Sequence, residues 1–349
     1  MSHSVRFWLL PLFLSLLTAC HQDAKYDPPA TRPFLLSDKF YDVKALSPDK
    51  AIVVGYNGKI LLTTDGGKQW RVRESGTDLA LYNVQFADAQ NGWISGQGGI
   101  ILHTADGGET WKKQESGIPL SIFAMAFLDK DRGWAVAQQA TYLYTSNGGT
   151  SWEERRIEAS VEGVSEESTL ALVDPTLFDI YFLDEKTGWM VGEFGKIYHT
   201  ADGGTTWKEQ QNTLLGQAGI DDALNFPTWF GVRFANALEG TVVGLEGKIA
   251  KTTDGGQTWN YTAEELSTTT TDSFYALRLT GADGWIVGAS ARVLKLQEGK
   301  WQLTPLGIPS VAWLRAIHFF DANNGWIVGG YGTIVRTTDG GKSWLRSVG

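Results

Sequence analysis

The chain has 349 residues, of which 42% are hydrophobic, and its 39 acidic side chains outnumber its 30 Lys and Arg side chains, for a formal net charge of −9. This balance excludes the basic footprint that a nucleic-acid-binding surface needs, so no nucleic-acid partner is expected. A single cysteine, Cys20, excludes an intrachain disulfide and a cysteine-ligated zinc site.

The first 20 residues have the pattern of an export signal. Arg6 precedes an apolar run at residues 7–17, which is shorter than the about 20 residues that span a bilayer but suits a secretory signal. Residues 17–20, Leu-Thr-Ala-Cys, resemble the lipobox of bacterial lipoproteins. That resemblance implies cleavage after residue 19 and acylation of Cys20, with the lipid bilayer as a partner. His21 then implies the periplasmic face of the outer membrane. An ordinary signal peptide with an incidental cysteine is the alternative.

Residues 20–37 are predicted to form an extended tether, because Pro28, Pro29 and Pro33 favour an extended backbone. The repeats described next begin beyond it. The predicted organisation is therefore a signal peptide at 1–19, a lipid-anchored tether at 20–37 and one globular domain at 38–349.

One eight-residue motif recurs through that domain. Thr-x-Asp-Gly-Gly-x-x-Trp begins at residues 63, 104, 145, 200, 252 and 337, with Asn replacing the acid once. The acidic side chain can accept hydrogen bonds from its own turn and glycine adopts positive φ, so the motif predicts a tight hairpin, here named the aspartate turn. The alternative, a metal loop, needs several oxygen ligands, and each turn offers one carboxylate. No metal is expected, and a structural role is assigned to Asp65, Asp106, Asn147, Asp202, Asp254 and Asp339.

The stretches between the turns predict the fold. Short alternating runs separated by Gly and Asp indicate four antiparallel strands in each repeat. A sixth repeat lacks the aspartate turn but keeps Gly-Trp-Ile-Val-Gly at 284–288 and ends at Trp301. Seven four-stranded units of about 40 to 45 residues are typical of a propeller. The predicted fold is thus an all-β, seven-bladed β-propeller of four-stranded antiparallel blades. Each blade is expected to supply its own strands, with an added edge strand at residues 33–36 as the alternative.

The repeats also resemble known families. The aspartate turn resembles the Asp-box, or BNR, repeat of sialidases and related propellers. The longer pattern at residues 184–207 and 321–344, Asp-x-x-x-Gly-Trp-x-Val-Gly-x-x-Gly-x-Ile-x-x-Thr-x-Asp-Gly-Gly-x-x-Trp, is similar to the photosystem II stability and assembly factor family. The resemblance covers about residues 38–349. It implies a non-enzymatic assembly factor that docks onto membrane proteins, here in the form of a bacterial lipoprotein.

Catalytic motifs are not evident. Sialidases carry an Arg-Ile-Pro motif, an arginine triad and a Tyr–Glu pair, and only Thr31-Arg32-Pro33 comes near the first. A glycosidase needs two suitably placed carboxylates, and sequence spacing selects no pair among so many acids. Neither an enzymatic activity nor a cofactor is expected.

A binding surface is expected on the face opposite the aspartate turns. Both long insertions, residues 153–177 and 208–228, fall in blade-to-blade connections on that face, and function tends to sit on variable loops held by a rigid scaffold. The candidates on this face are Tyr56, Phe194, Glu246, Arg292 and Tyr331 at hairpin tips, together with Trp229.

A second candidate set lies in the predicted innermost strands. Their opening positions are Tyr41, Tyr82, Phe123, Phe178, Phe230, Tyr275 and Arg315. Arg233, Arg278 and His318 follow three residues after the openings of the last three repeats, so with Arg315 they are expected to converge near the central channel. One interpretation is a site for an anion or a carboxylate-bearing partner. The other is a set of satisfied polar groups between blades.

The leading functional hypothesis combines these predictions. The protein is expected to be a monomeric, lipid-anchored periplasmic propeller that serves assembly, stability or scaffolding of a membrane or envelope protein complex. The alternative is a glycan-binding or glycan-cleaving, sialidase-like propeller of the cell envelope.

Overall fold

A computed structural model describes residues 32–157, 174–210, 226–261, 270–280, 283–309 and 311–349. These ranges contain 28 strands in seven four-stranded sheets, and the strands of each sheet pair in chain order. The predicted seven-bladed β-propeller is therefore confirmed. The signal peptide, Cys20, most of the tether and the central parts of both insertions, with Glu162, Glu166, Glu167, Asp221 and Asp222, lie outside the described residues. Within the described ranges, no helix has the length and apolar character needed to cross a membrane.

The first four blades follow one another with regular strand lengths. Blade 1 contains β1 (Phe40–Ala45), β2 (Ala51–Gly55), β3 (Ile60–Thr63) and β4 (Arg71–Arg73). Blade 2 contains β5 (Leu81–Phe86), β6 (Gly92–Gly96), β7 (Ile101–Thr104) and β8 (Lys112–Gln114). Blade 3 contains β9 (Ile122–Phe127), β10 (Gly133–Ala137), β11 (Thr141–Thr145) and β12 (Glu153–Arg156). Blade 4 contains β13 (Leu177–Phe182), β14 (Gly188–Gly192), β15 (Ile197–Thr200) and β16 (Lys208–Glu209).

The remaining three blades repeat the plan. Blade 5 contains β17 (Trp229–Phe234), β18 (Gly240–Gly244), β19 (Ile249–Thr252) and β20 (Asn260–Tyr261). Blade 6 contains β21 (Phe274–Thr280), β22 (Asp283–Gly288), β23 (Val293–Gln297) and β24 (Lys300–Leu303). Blade 7 contains β25 (Leu314–Phe319), β26 (Gly325–Gly329), β27 (Thr333–Thr337) and β28 (Leu345–Arg346). Short 3-10 turns at Gln97–Gly99 and Leu245–Gly247 lie between second and third strands.

Burial within a blade follows from its position in the ring. The second strand, such as β6 or β26, is buried at every residue, because both of its faces are covered by neighbouring blades. The fourth strand, such as β8, is largely exposed and correspondingly polar. The apolar and polar runs of the sequence therefore separate the inner from the outer strands.

Neighbouring blades are joined through the Gly-Trp pairs. Trp93 is fully buried, stacks on Phe127 of the next blade with ring centroids 3.7 Å apart, and donates from Nε1 to Gly148 O at 3.0 Å. The turn glycines make room for these indoles. Gly203 and Gly204 have φ of +70° and +76°, and a Cβ on Gly204 would lie 2.5 Å from Trp134 Nε1 of the preceding blade. The glycine therefore serves both the backbone angle and the inter-blade contact.

The ring closes by the same kind of contact. Trp326 of blade 7 packs edge-on against Trp70 of blade 1 at 5.5 Å, and Arg336 Nη1 donates to Gly66 O at 2.9 Å. Strand β1 also packs against β25 and β26. Among the described residues no strand is exchanged across this seam, because blades 1 and 7 each pair four consecutive strands, as predicted.

One residue assigned to the tether belongs to the packed domain. Phe34 is 4% exposed and meets Phe40 and Trp70 edge-on at the seam. It contributes a side chain and no edge strand, so the alternative of an added strand at residues 33–36 is wrong. The packed domain thus begins before residue 38, because the aromatic ring fills the gap beside Trp70.

The aspartate turns use their own acids. Thr104 Oγ1 donates to Asp106 Oδ1 at 2.7 Å, and the backbone N–H of Thr110 donates to the same oxygen at 3.0 Å. In blade 4 the Thr206 hydroxyl and the Thr206 backbone N–H lower the pKa of Asp202 to about 2. These contacts close the hairpin between the third and fourth strands. Nowhere in the described part of the chain are three His, Cys, Asp or Glu side chains grouped in a way that could hold a metal ion.

Candidate functional site

The innermost strand of each blade lines the central channel. Each of these strands has a β-bulge near its start, at the mouth of the channel on the face opposite the aspartate turns. Strand registers skip one residue near the start of every inner strand, at the positions predicted to open the strands. A bulge leaves one residue unpaired and redirects its side chain. Here the unpaired side chains border the channel. We name them the collar: Tyr41, Tyr82, Phe123, Phe178, Phe230, Tyr275 and Arg315.

The collar is a nearly continuous ring of aromatic contacts. Successive ring centroids from Tyr41 round to Tyr275 lie between 5.0 and 5.5 Å apart. Trp313 stacks on Tyr41 at 5.7 Å from the other side. Arg315 occupies the seventh position, with its guanidinium 5.6 Å from the Tyr275 ring, a cation–π distance. The collar therefore presents aromatic faces and one cation at the mouth on the face opposite the aspartate turns.

Below the collar, polar side chains link the inner strands across blades. Asp42 Oδ2 accepts hydrogen bonds from Asn83 Nδ2 at 2.7 Å and from the Val84 N–H at 2.9 Å. Asn83 Oδ1 accepts from the Met125 N–H at 3.0 Å, and Asp179 Oδ2 accepts from the Val232 N–H at 2.9 Å. Inner strands are sheet edges with unpaired N–H groups, and these side chains satisfy them. Sequence analysis missed this layer.

Three cations, Lys44, Arg233 and Arg278, lie three residues beyond the collar on their strands, about 10 Å at the usual rise of about 3.3 Å per residue, and Arg315 of the collar lies above them. We name Lys44, Arg233, Arg278 and Arg315 the cation cluster. Arg233 Nη1 lies 2.5 Å from Asp179 Oδ2, and Arg315 Nη1 donates to Tyr275 O at 2.9 Å. Lys44 Nζ is 3.5 Å from Gln85 Oε1. Arg278 Nε is buried and has no hydrogen-bond acceptor among the described residues.

His318 faces the same cluster, and its tautomer is defined. Its Nδ1 accepts a hydrogen bond from the Ala45 N–H at 3.3 Å, so the proton of the neutral ring is on Nε2. Burial and the nearby Lys44, Arg278 and Arg233 hold the pKa of His318 well below its usual value. His318 is therefore neutral at physiological pH and can donate one hydrogen bond from Nε2.

The channel carries more positive than negative charge. Burial lowers the pKa of Lys44 to about 8, where Asp42 opposes the shift and Arg278 and Arg233 add to it. Burial likewise lowers the pKa of Arg278, and Arg233 lowers it further. Burial also raises the pKa of Asp42 to about 6, against the hydrogen bonds from the Val84 and Val43 N–H groups. With Asp42 and Asp179 as the acids beside these cations, an anion would meet a positive excess.

The two channel acids have structural contacts of their own. Both oxygens of Asp42 accept backbone N–H groups, from Val43 and from Val84. Both oxygens of Asp179 do the same, from Ile180 and Val232, and Asp179 also pairs with Arg233. These two carboxylates thus link the inner strands of neighbouring blades.

Some of the candidates predicted at the hairpin tips are exposed, and others already have partners within the domain. Tyr56 and Tyr331 are about half exposed, at 51% and 53%, and Phe194 is partly exposed with φ +57°. Arg292 Nε pairs with Asp272 Oδ2 at 2.8 Å and does not join the channel cations. Trp229 is fully buried, with Nε1 donating to Gly195 O at 3.2 Å, so its prediction as a surface contact is wrong. The indole precedes the bulge at Phe230 and therefore points into the blade.

A protein-family model matches most of the chain. The family described as photosynthesis system II assembly factor YCF48 matches residues 31–121, 160–227 and 220–306, which is more than half of the chain. The photosystem II assembly protein Ycf48 of Synechococcus sp. (strain JA-3-3Ab) is 26% identical over 248 residues, covering 48% of this chain and 74% of the relative. The photosystem II assembly lipoprotein Ycf48 of Trichormus variabilis is 25% identical over 247 residues, covering 49% and 73%.

Solved structures share the fold. A structure of YCF48 bound to D1 peptide superposes with a TM-score of 0.65 at 20% identity, covering 86% of this chain and 94% of the other. The GH74 xyloglucanase from Xanthomonas campestris superposes with a TM-score of 0.68 at 12% identity, covering 90% of this chain and 55% of the enzyme. At these identities both likenesses concern the fold alone.

Proposed function

The chain belongs to the photosystem II assembly factor family, and on that premise we propose that it is a non-enzymatic, lipid-anchored scaffold for assembly or stability of a membrane or envelope protein complex. Acylation at Cys20 holds it at the periplasmic face of the outer membrane. The lipobox-like residues 17–20 and the lipoprotein name of the Trichormus relative support the lipid anchor, and His21 supports the outer membrane. One solved relative is described as bound to a peptide of D1, which supports a membrane-protein partner here.

The observation that carries the proposal is the positive excess in the channel beneath an aromatic collar. An extended segment of a partner can pack apolar side chains on the collar while its carboxylate reaches the cation cluster. Arg278 is the strongest candidate for that contact, because its Nε is buried without an acceptor among the described residues. Hydrogen bonds between charged groups are among the stronger polar contacts, especially away from water.

The test uses the full acylated chain as bait in detergent-solubilised envelopes. Arg278→Gln is expected to reduce capture of the partner strongly, because the replacement removes a charge that no described acid pairs. Arg292→Gln is the matched control, since Arg292 pairs with Asp272 outside the channel. Peptides of the captured protein, made with a free or an amidated carboxyl end, then test carboxylate recognition by calorimetry. Equal capture by wild type and a folded Arg278→Gln variant would contradict the site.

The purified protein also tests the alternative that this is a glycan-cleaving propeller. Incubation of the pure chain with envelope polysaccharides should release no saccharide if the protein is a scaffold. Released saccharide, lost on replacement of a channel acid, would replace the scaffold proposal by an enzymatic one. The likeness to the xyloglucanase supports the shared fold and gives no site for such a reaction.

A further inference from the structure

Five of the exposed large apolar side chains lie together at one corner of the propeller, where blades 7 and 1 meet. We name Leu35, Leu36, Tyr56, Tyr331 and Val348 the corner patch. Leu36 is 69% exposed and Val348 is 85% exposed, and the other three are more than half exposed. These residues come from four separate stretches of the chain, so their common exposure is not the property of one loop.

Backbone contacts bring these stretches together. The Gly332 N–H, next to Tyr331, donates to Asp38 O at 2.8 Å, and the Tyr56 N–H donates to Lys39 O at 2.9 Å. A Cβ on Gly349, next to Val348, would lie 2.0 Å from Phe34 O. The turn at residues 35–38 is closed by Leu35 N–H to Asp38 Oδ2 at 2.9 Å, which leaves both leucines outside the packed core.

Folding does not require this exposure. Phe34 already anchors the segment in the seam. The tip position of Tyr331 is held in the other six blades by Asn57, Gly98, Gln139, Phe194, Glu246 and Ser290, all at positive φ. Tyr331 adopts φ +56°, a conformation that costs a bulky side chain more than glycine or asparagine. Five of the other six blades have glycine or a polar side chain at this position, so the fold does not need the exposed ring of Tyr331 there.

Three cations and one acid, Asp38, lie around the corner patch, although the protein as a whole is acidic. Lys39 Nζ lies 5.4 Å from the Tyr56 ring centroid, and Arg346 Nη2 donates to Tyr331 O at 3.0 Å. Lys59 Nζ lies 3.3 Å from Asp38 Oδ2. Leucine and tyrosine flanked by Lys and Arg are the composition that binds the interface of an anionic bilayer.

We propose that the corner patch rests on the surface of a phospholipid bilayer with anionic headgroups. The proposal rests on the acylation of Cys20 proposed above. Roughly a dozen residues separate Cys20 from Pro33, so the chain leaves this corner within about 45 Å of its lipid anchor, the limit set by a fully extended backbone. Together, the lipid anchor and a second, weak contact at the corner patch give the propeller a defined orientation on the membrane. The collar mouth, which opens on the face of the same hairpin tips, is thereby held close to the membrane.

Site-directed spin labelling tests the contact directly. Acylation occupies the single cysteine, so one added cysteine in the full acylated chain can be labelled alone. Nitroxides are placed by Leu36→Cys and Tyr331→Cys, and by Leu238→Cys as the control, since Leu238 is 57% exposed near an aspartate turn on the opposite face. The chains are reconstituted in vesicles of phosphatidylethanolamine and phosphatidylglycerol. Collision rates with oxygen, which prefers lipid, and with a water-soluble nickel chelate are then measured.

The expected result is a several-fold rise in the ratio of oxygen to nickel collisions at positions 36 and 331, with no rise at 238. Labels at 36 and 331 that stay as water-accessible as the control would overturn the proposal. Shielding found only in native envelope vesicles, and absent in lipid vesicles, would assign the patch to a protein and would also overturn it. Mass spectrometry of the amino-terminal peptide separates this failure from loss of the anchor, because an unacylated Cys20 contradicts the anchoring itself.

Discussion

Replacement of Trp93 by alanine should show how much the tryptophans packed between neighbouring blades stabilise the propeller. The indole is fully buried, stacks on Phe127 at 3.7 Å and donates to Gly148 O at 3.0 Å. Truncation of a buried Trp to Ala costs about 3 to 5 kcal/mol. The lost hydrogen bond adds little, because Gly148 O also accepts from Gln114 Nε2 at 2.9 Å. We therefore expect a loss of about 3 to 5 kcal/mol from a total that is commonly about 5 to 15 kcal/mol.

Urea denaturation of the full chain, followed by far-ultraviolet circular dichroism, measures this loss. Trp93→Phe is a graded control, since it keeps an aromatic ring against Phe127 and removes only the donor and part of the volume. Leu238→Ala is the surface control and should change the unfolding free energy by less than about 0.5 kcal/mol. An ordinary substitution typically changes the free energy of unfolding by about 1 kcal/mol. A loss no larger than this in Trp93→Ala would refute the reasoning that the buried tryptophans join the blades.

Three further changes address the anchor, the cation cluster and the channel acid. Cys20→Ser should move the protein from the membrane to the soluble fraction and abolish palmitate incorporation; continued labelling would contradict the lipoprotein prediction. Arg278→Gln should leave the thermal melt nearly unchanged, whereas Arg233→Gln should lower it, because Asp179 then loses its charged partner at a cost of about 1 to 3 kcal/mol. Asp42→Asn should flatten the dependence of unfolding free energy on pH. The pKa of Asp42 is raised by burial from 3.8 to about 6, so its protonation stabilises the fold fully below pH 3.8, and this contribution is lost as pH rises through about 6. The free energy of unfolding of the wild type minus that of the variant, from urea titrations between pH 3.8 and about 6, should fall as pH rises. A difference that does not change with pH would contradict the burial of Asp42.

Much of the architecture was accessible from the sequence because it depends on local patterns. The aspartate turn fixes each hairpin between third and fourth strands through its own side chain, as Asp106 does with Thr104 and Thr110. The Gly-Trp pair marks the second strand, whose burial on both faces needs apolar residues throughout. Seven such units leave few other folds, so the prediction of blades needed no long-range information.

The site was predictable only in outline, because its geometry depends on the bulges. A period-2 pattern assigns alternate residues to opposite faces, and one bulged residue changes that assignment. Phe230 therefore turns into the channel while its neighbour Trp229 remains in the blade core, which the pattern alone could not distinguish. The links made by Asp42 and Asn83 were missed for the same reason, since both follow a bulge.

The contacts of the individual cations separate the two interpretations of the channel. If the arginines were only structural groups between blades, each should have a hydrogen-bond acceptor in the domain. Arg233 has Asp179 as its acceptor, and Arg315 has Tyr275 O. Arg278 Nε has none among the described residues, and Lys44 has only a long contact with Gln85. Because the Arg278 side chain is only partly buried, its guanidinium can meet an anion from outside the domain, which agrees with the proposed partner site. Replacing Arg233, Arg278 and Arg315 together would mix the two roles. Arg278 is the residue at which loss of binding and loss of stability can be measured apart.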